Sequence, residues 1–273
     1  MMAIMNLLLF MKNNNQSSYS IPAISLVRGM QLELSTSVSV LQRLQAFTSC
    51  FDSANQEGFK PLLFMGTDDG RGLIRNLSHT FAEAEWYEKR WSSKEKHLAD
   101  LLGLPPVNPW DKHALSVVES EAYLKDMIGM LSRDERTFDV LAIGPLSNLA
   151  RLVLYQGHVL MKKIDRLVVM GGAVNLTDSS NQFNGAEWNF YCDALSAEIV
   201  LRQFQTKIML FDLKVANLNA VTEQQALEIY EYASHLPMAE HSLQRIELSL
   251  LNMSRASVTY DLITSLFFTN PGK

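Results

Sequence analysis

One short segment of the sequence combines side chains that could recognise a ligand rich in hydroxyl groups. Glu187 and Asn189 lie two residues apart, and residues two apart point to the same side of an extended backbone. A carboxylate beside an amide offers both acceptors and donors to vicinal hydroxyls. The same side chains could instead cap the helix that begins near Ala194, a role that Asp193 could fill alone. The segment therefore predicts either a polar binding site or a helix start.

A second candidate turn follows a run of apolar residues. Residues 143–148 read Ile-Gly-Pro-Leu-Ser-Asn. A Gly-Pro turn brings the backbone close to whatever lies above the preceding strand, and Ser147 can open the next helix. An ordinary tight connection between a strand and a helix explains the same residues, so this pattern alone does not decide between the two interpretations.

Apolar strands that alternate with helical segments must position these residues. Five apolar runs of strand length occupy residues 21–27, 61–65, 138–143, 164–170 and 207–211. Helical periodicity occupies residues 37–51, 113–131, 146–155, 194–204, 222–233 and 240–255. This alternation predicts an α/β fold with a mostly parallel sheet flanked by helices. In such folds ligands bind at the carboxyl ends of the strands, where both candidate segments fall.

Composition excludes several function classes. The 273 residues include 24 Lys and Arg and 29 Asp and Glu, which gives a formal charge of −5. The sequence has no stripe of Lys and Arg that could bind the phosphates of a nucleic acid, so we expect no nucleic-acid partner. Cys50 and Cys192 give neither a metal-ligand spacing nor a disulfide framework, which favours a reducing, cytoplasmic compartment. The apolar residues 1–11 are too short to span a membrane and predict a buried helix. The polar, aromatic residues 66–110 predict a surface excursion or lid on a single domain, residues 1–273.

Several blocks resemble the inosine–uridine preferring nucleoside hydrolase family. The blocks are DVLAIGPLSNLARL at 139–152, VVMGG at 168–172, AEWNFYCDALSAEIVL at 186–201, TYDL at 259–262 and, more loosely, HLADLLG at 97–103. They occur in the family's order. The resemblance implies an open, Rossmann-like α/β fold and hydrolysis of the N-glycosidic bond of a small-molecule ribonucleoside. By analogy it also implies a homo-oligomer.

The resemblance implies a Ca²⁺-assisted mechanism. In the family, Ca²⁺ positions a water, an aspartate takes its proton, and the water attacks the anomeric carbon while the base departs. Here Ile143 would offer its main-chain carbonyl and Asp261 its carboxylate to the metal. Without the family context, Asp261 could equally be a helix N-cap before Leu262.

The resemblance also implies a ribose site. Asn181, Glu187 and Asn189 would hold the ribose, and Met170 would pack against it. His97 would lie near the base or the rim of the ribose, on the weaker match.

Two departures from the family pattern bear on activity. The family begins with a strand that ends in Asp-x-Asp-x-Gly-x-Asp-Asp, which supplies the general base and most metal ligands, and these 273 residues contain no such motif. Tyr260 stands where the family usually has a histidine that helps protonate the leaving base, and a phenol is a poorer proton source near pH 7. We therefore expect a chain truncated at both ends, with weak or no Ca²⁺ binding and doubtful activity. The alternative is an inactive relative that binds a nucleoside or serves in protein interactions.

Overall fold

The computed structural model describes residues 21–27, 62–65, 117–118, 123–174, 186–217, 222, 224, 227, 231 and 260–269. The strands are β1 (Ala23–Leu26), β2 (Leu62–Met65), β3 (Val117–Val118), β4 (Phe138–Ala142), β5 (Ile164–Met170) and β6 (Ile208–Phe211). The helices are α1 (Tyr123–Arg133), α2 (Ser147–Lys163), α3 (Trp188–Cys192), α4 (Ala194–Gln203), α5 (Leu213–Asn217) and α6 (Tyr260–Thr269).

The strands form two parallel sheets. The first has the order β1-β2-β3 and the second has the order β4-β5-β6. Every pairing between these strands is parallel. Helices connect β4 to β5 and β5 to β6, as parallel pairing requires. The predicted α/β class with a parallel sheet and flanking helices is confirmed.

The core lies around β5. Leu167, Val168 and Val169 are fully buried because helices cover the strand and neighbouring strands flank it. Leu160 of α2 and Val200 of α4 are also fully buried. A continuous apolar strand of this kind is typical of a parallel sheet covered on both faces. Because β5 is buried in the core, its last residue and the loop after it are held at a fixed position at the edge of the sheet.

The two sheets meet at Asn148, in the first turn of α2. Its side-chain amide donates to Ser25 Oγ at 2.8 Å and to the Leu26 carbonyl at 2.6 Å. A Cβ atom on Gly144 would lie 3.2 Å from Val27 Cγ1, so the chain leaving β1 passes close to the turn after β4. The carboxyl ends of β1 and β4 are therefore neighbours.

The structure corrects two predicted elements. The helix predicted over 113–131 begins only at Tyr123, because Val117 and Val118 pair in parallel with β2. Strand pairing of two β-branched residues outweighs the helical period of the surrounding sequence. The helix predicted over 146–155 runs on to Lys163 through a kink at Gln156, whose φ and ψ are −151° and 59°.

Several predictions lie outside the described residues. They are the helices at 1–11, 37–51 and 240–255 and the excursion at 66–110, and only isolated positions of 222–233 are described. The single domain over 1–273 stays a prediction. Within the part of the chain that the structure describes, no helix is long and apolar enough to cross a membrane.

Candidate functional site

A glycine pair directly after β5 allows an aromatic ring to approach the backbone. Met170 ends β5 and is 3% exposed. A Cβ atom on Gly171 would lie 2.5 Å from Phe190 Cε1, so any side chain there would displace the ring. Gly172 has a φ of +82°, a conformation that glycine adopts without strain. Both glycines are therefore required by the fold of this loop.

Glu187 organises the segment that faces this loop. Its Oε1 accepts from the Asn189 N–H at 2.8 Å, and its Oε2 accepts from the N–H groups of Phe190 and Gly172 at 3.0 Å each. The side chain is the N-cap of α3 and is buried. Burial raises the pKa of Glu187 above its ordinary value, and the three N–H donors partly oppose that rise. A carboxylate has about four acceptor positions, so Glu187 keeps the capacity to accept one further hydroxyl.

Asn189 lies in α3 and faces the end of β5. Its side-chain amide donates to the Met170 carbonyl at 3.1 Å and lies 3.4 Å from Met170 Sδ. The expected extended backbone is wrong here, because Asn189 is helical. Met170, Glu187 and Asn189 nevertheless form one buried group at the carboxyl end of β5.

The capping alternative also holds in part. Glu187 caps α3, and Asp193 caps α4 by accepting from the Ser196 N–H at 3.2 Å. Asp193 therefore fills the role that the sequence allowed it, whereas Glu187 caps an earlier and shorter helix. Capping leaves the carboxylate of Glu187 in place beside Asn189, so the cap and the binding site are compatible.

The turn after β4 is tied to this group through a contact that the sequence did not predict. Ile143 follows β4 and is half-buried, and Ser147 is the first residue of α2, although the N-cap is Leu146 and no side chain caps the helix. Ser147 Oγ donates to Asp193 Oδ2 at 2.6 Å. The two residues are 46 apart in sequence, so no local pattern could have indicated the contact.

Asp212 is a second carboxylate that sequence reasoning missed. It follows β6, is buried, and accepts from the N–H groups of Val174 at 3.2 Å and Val215 at 3.1 Å. The loop after β5 is thus held by Glu187 at Gly172 and by Asp212 at Val174. The available signal is an aspartate directly after the predicted strand at 207–211, because aspartate is a favoured N-cap.

Tyr260 and Asp261 begin α6. Asp261 lies inside the first turn rather than before the helix, where its negative charge is favourable. Tyr260 is 39% exposed and Asp261 is half-buried. The helix packs near β6, with the Phe267 ring 5.0 Å from the Phe211 ring. Asn181 and His97 lie outside the described residues.

The described residues do not by themselves fit a Ca²⁺ site. Ca²⁺ takes about six to eight oxygen ligands. The described candidates are the Ile143 carbonyl and the Asp261 carboxylate, and no group of three or more His, Cys, Asp or Glu within the described ranges could hold a metal.

Comparison with solved structures places this arrangement in a known structural class. A nucleoside hydrolase from Bacillus anthracis, described as inosine-uridine preferring, is similar at 18% identity and a TM-score of 0.61, over 99% of this chain and 78% of that one. An inosine-guanosine nucleoside hydrolase is similar at 15% identity and a TM-score of 0.65, over 99% of this chain and 76% of that one. A purine-preferring ribonucleoside hydrolase from Gardnerella vaginalis is similar at 13% identity and a TM-score of 0.63, over 99% of this chain and 77% of that one. These likenesses establish a nucleoside hydrolase fold.

The sequence itself establishes the family. The model of the family described as inosine-uridine preferring nucleoside hydrolase matches residues 7–270. Among curated proteins, the sequence has no significant match. The chain belongs to the inosine-uridine preferring nucleoside hydrolase family, and family and fold together support nucleoside hydrolase function.

Proposed function

We propose that this chain binds the ribose of a ribonucleoside at the carboxyl end of β5 and serves hydrolysis of its N-glycosidic bond. The observation that carries the proposal is the buried group of Glu187, Asn189 and Met170. Glu187 would accept a ribose hydroxyl, Asn189 would orient the sugar, and Met170 would pack against it. Asn181 and, at the rim, His97 are proposed to complete the site.

The reaction moves few atoms. The oxygen of a water molecule bonds to the anomeric carbon while the glycosidic C–N bond breaks. The water loses one proton and the departing base gains one, so the products are free ribose and free base. Such reactions pass through a transition state with positive charge on the sugar. A buried carboxylate near the ribose would stabilise that charge. Tyr260 is proposed to donate a hydrogen bond to the leaving base.

Binding can be tested by thermal stability. A ligand that binds only the folded state stabilises it by about 2.7 kcal/mol at one hundred times its Kd. We expect inosine or uridine to raise the Tm of the chain, and hypoxanthine or uracil alone to raise it less. No shift with either nucleoside would refute the ribose site.

A pair of variants makes this test specific. Asn189→Ala removes the amide that donates to Met170 and should weaken nucleoside binding about tenfold, the scale of one buried hydrogen bond. Glu198→Ala is the matched control, because Glu198 is exposed on α4 and pairs with Arg202. Equal affinities in the two variants would contradict the role of Asn189.

Calcium binding by these 273 residues is proposed to be weak. The support is that the sequence contains no Asp-x-Asp-x-Gly-x-Asp-Asp motif and that Ile143 and Asp261 supply few ligands. Titration calorimetry should give a Kd of about 10⁻³ M or weaker, at or beyond the weak end of the range known for protein sites. A micromolar Kd would overturn this proposal.

A second candidate function is nucleoside binding without hydrolysis. Tyr260 favours it, because a phenol with a pKa near 10 is a poor proton source for the leaving base. Release of free base, followed by chromatography, separates the two candidates: a catalyst produces base and ribose, whereas a binding protein shifts its Tm without releasing either. We also propose a cytoplasmic location, which the cysteine content favours. A homo-oligomer is proposed by analogy with the family.

A further inference from the structure

Asp193 joins two segments that are far apart in the sequence. Its Oδ2 accepts from the hydroxyls of Ser147 and Ser196, at 2.6 Å each. The three side chains are buried, with exposed fractions of 5%, 4% and 0% for Asp193, Ser147 and Ser196. Bonds of this length between hydroxyls and a carboxylate are charge-assisted and about twice as strong as neutral ones.

Helix capping accounts for the contacts of Asp193 with Ser196 but not for its contact with Ser147. The cap of α4 uses Asp193 Oδ1, which accepts from the Ser196 N–H. The other oxygen, Oδ2, accepts a hydrogen bond from the hydroxyl of Ser147, the first residue of α2. Helix α2 precedes β5 in the chain. The carboxylate therefore lies at the N-termini of both α2 and α4, where partial positive charge favours an anion. A cap serving α4 alone would need no partner in α2.

The contact connects both halves of the proposed site. Ser147 follows Ile143 by four residues, and the next residue, Asn148, binds the end of β1. Asp193 follows Asn189 by four residues, and Asn189 binds the Met170 carbonyl. One carboxylate oxygen thus fixes the turn after β4 relative to the segment after β5.

We propose that Asp193 is a positioning residue that sets the spacing between the turn at residues 143–148 and the side chains of Glu187 and Asn189. The proposal rests on the proposed function for its consequence in binding. It predicts that loss of the Ser147 contact alters the ribose site, although neither Ser147 nor Asp193 touches the ribose.

Two serine variants of the full chain form a matched test. Ser147→Ala and Ser196→Ala each remove one buried hydroxyl bonded at 2.6 Å to the same oxygen, but only the first cuts the link between segments. Calorimetric titration with inosine and uridine should show about tenfold weaker binding for Ser147→Ala and about twofold or less for Ser196→Ala. Ser147→Thr keeps a hydroxyl and should restore affinity to within about threefold.

The outcomes separate positioning from general stability. Equal weakening in Ser147→Ala and Ser196→Ala, or no restoration by Ser147→Thr, would overturn the proposal. Hydrogen exchange provides a readout that needs no ligand: Ser147→Ala should speed exchange in both 143–148 and 186–192, whereas a change confined to 143–148 would overturn it. If the wild-type chain binds neither nucleoside, the proposed function fails, and the exchange data alone decide the role of Asp193.

Discussion

Glu187 is subject to two opposing effects on its ionisation. Burial disfavours the charged carboxylate, whereas the N–H groups of Asn189, Phe190 and Gly172 favour it. Burial is the larger effect, so the pKa of Glu187 lies above its ordinary value. The folded chain therefore holds a proton on Glu187 at pH values where the unfolded chain has already lost it. Folding stability contributed by this group must fall as the pH rises through that window.

The variant Glu187→Gln should remove this pH dependence. Glutamine is neutral at every pH, so the wild type should lose free energy of unfolding relative to the variant as pH rises from about 4.5 to the raised pKa. Above that pKa the difference should stay constant. Urea denaturation of both proteins at a series of pH values measures this difference in the free energy of unfolding. A wild-type advantage that grows with pH would mean that the three N–H donors outweigh burial.

The sequence predicts that Glu187 and Asn189 are site residues, but it does not predict their geometry. Glu187 and Asn189 stood out by type and spacing, yet α3 spans only five residues and begins with Glu187 as its own cap. So short a helix leaves no periodic signal. Asp193 was recognisable as a cap, whereas its bond to Ser147 depends on tertiary packing. The family resemblance, rather than local physics, indicates Asn181, Ile143 and Asp261 as site residues.

Strands were more predictable than helices at the scale of whole elements. The strand predicted at 164–170 coincides with β5, because its last four residues, Leu-Val-Val-Met, form an apolar, β-branched run that is typical of a strand covered on both faces. The start of α1 was wrong, because the pairing of β3 with β2 is not visible in the local period. The predicted helix at 146–155 is shorter than α2, because the helix continues to Lys163 beyond the kink at Gln156.

Helix α6, which carries Tyr260 and Asp261, is anchored at its far end by Arg166. The guanidinium donates to the Phe268 carbonyl at 3.0 Å and lies 4.9 Å above the Phe268 ring. A cation is favourable near the last turn of a helix. Arg166 also pairs with Asp139 on the neighbouring strand at 2.7 Å. A residue of β5 therefore fixes the helix that presents the proposed metal ligand.

Arg166→Met should loosen α6. The variant keeps an apolar stem but loses the Phe268 carbonyl contact, the ring contact and the ion pair with Asp139, so the free energy of unfolding should fall by about 1–3 kcal/mol. Hydrogen exchange should quicken in residues 260–269. Asp139→Asn is the control, because it removes only the ion pair, whose side chains are 26% and 39% exposed, and should cost about 0–1 kcal/mol. If Asp139→Asn loosens α6 as much, the ion pair and not the Phe268 contact holds the helix.

At the scale of the whole molecule, the proposed site lies beside the contact between the two sheets. The second sheet supplies the ends of β4 and β5, and the end of β1 in the first sheet is hydrogen-bonded to the turn of α2 that follows β4. Asn148 spans the two sheets by donating to Ser25 and Leu26. Because Asn148 directly follows Ser147, the bond to Asp193 and the bonds to β1 act on the same turn of α2. The spacing of the strand ends therefore depends on adjacent side chains in one helical turn.

Asn148→Asp tests whether this turn couples the sheets. The variant replaces donors with a carboxylate that faces the Leu26 carbonyl, so it should cost at least about 2 kcal/mol of stability. Hydrogen exchange should quicken more in residues 23–26 than in residues 164–170, because β1 loses its tie to the second sheet. Ser25→Ala is the control: it leaves the Leu26 bond intact and should cost about 1 kcal/mol or less. Equal acceleration in β1 and β5 would mean that other contacts join the sheets and that Asn148 only stabilises its own helix.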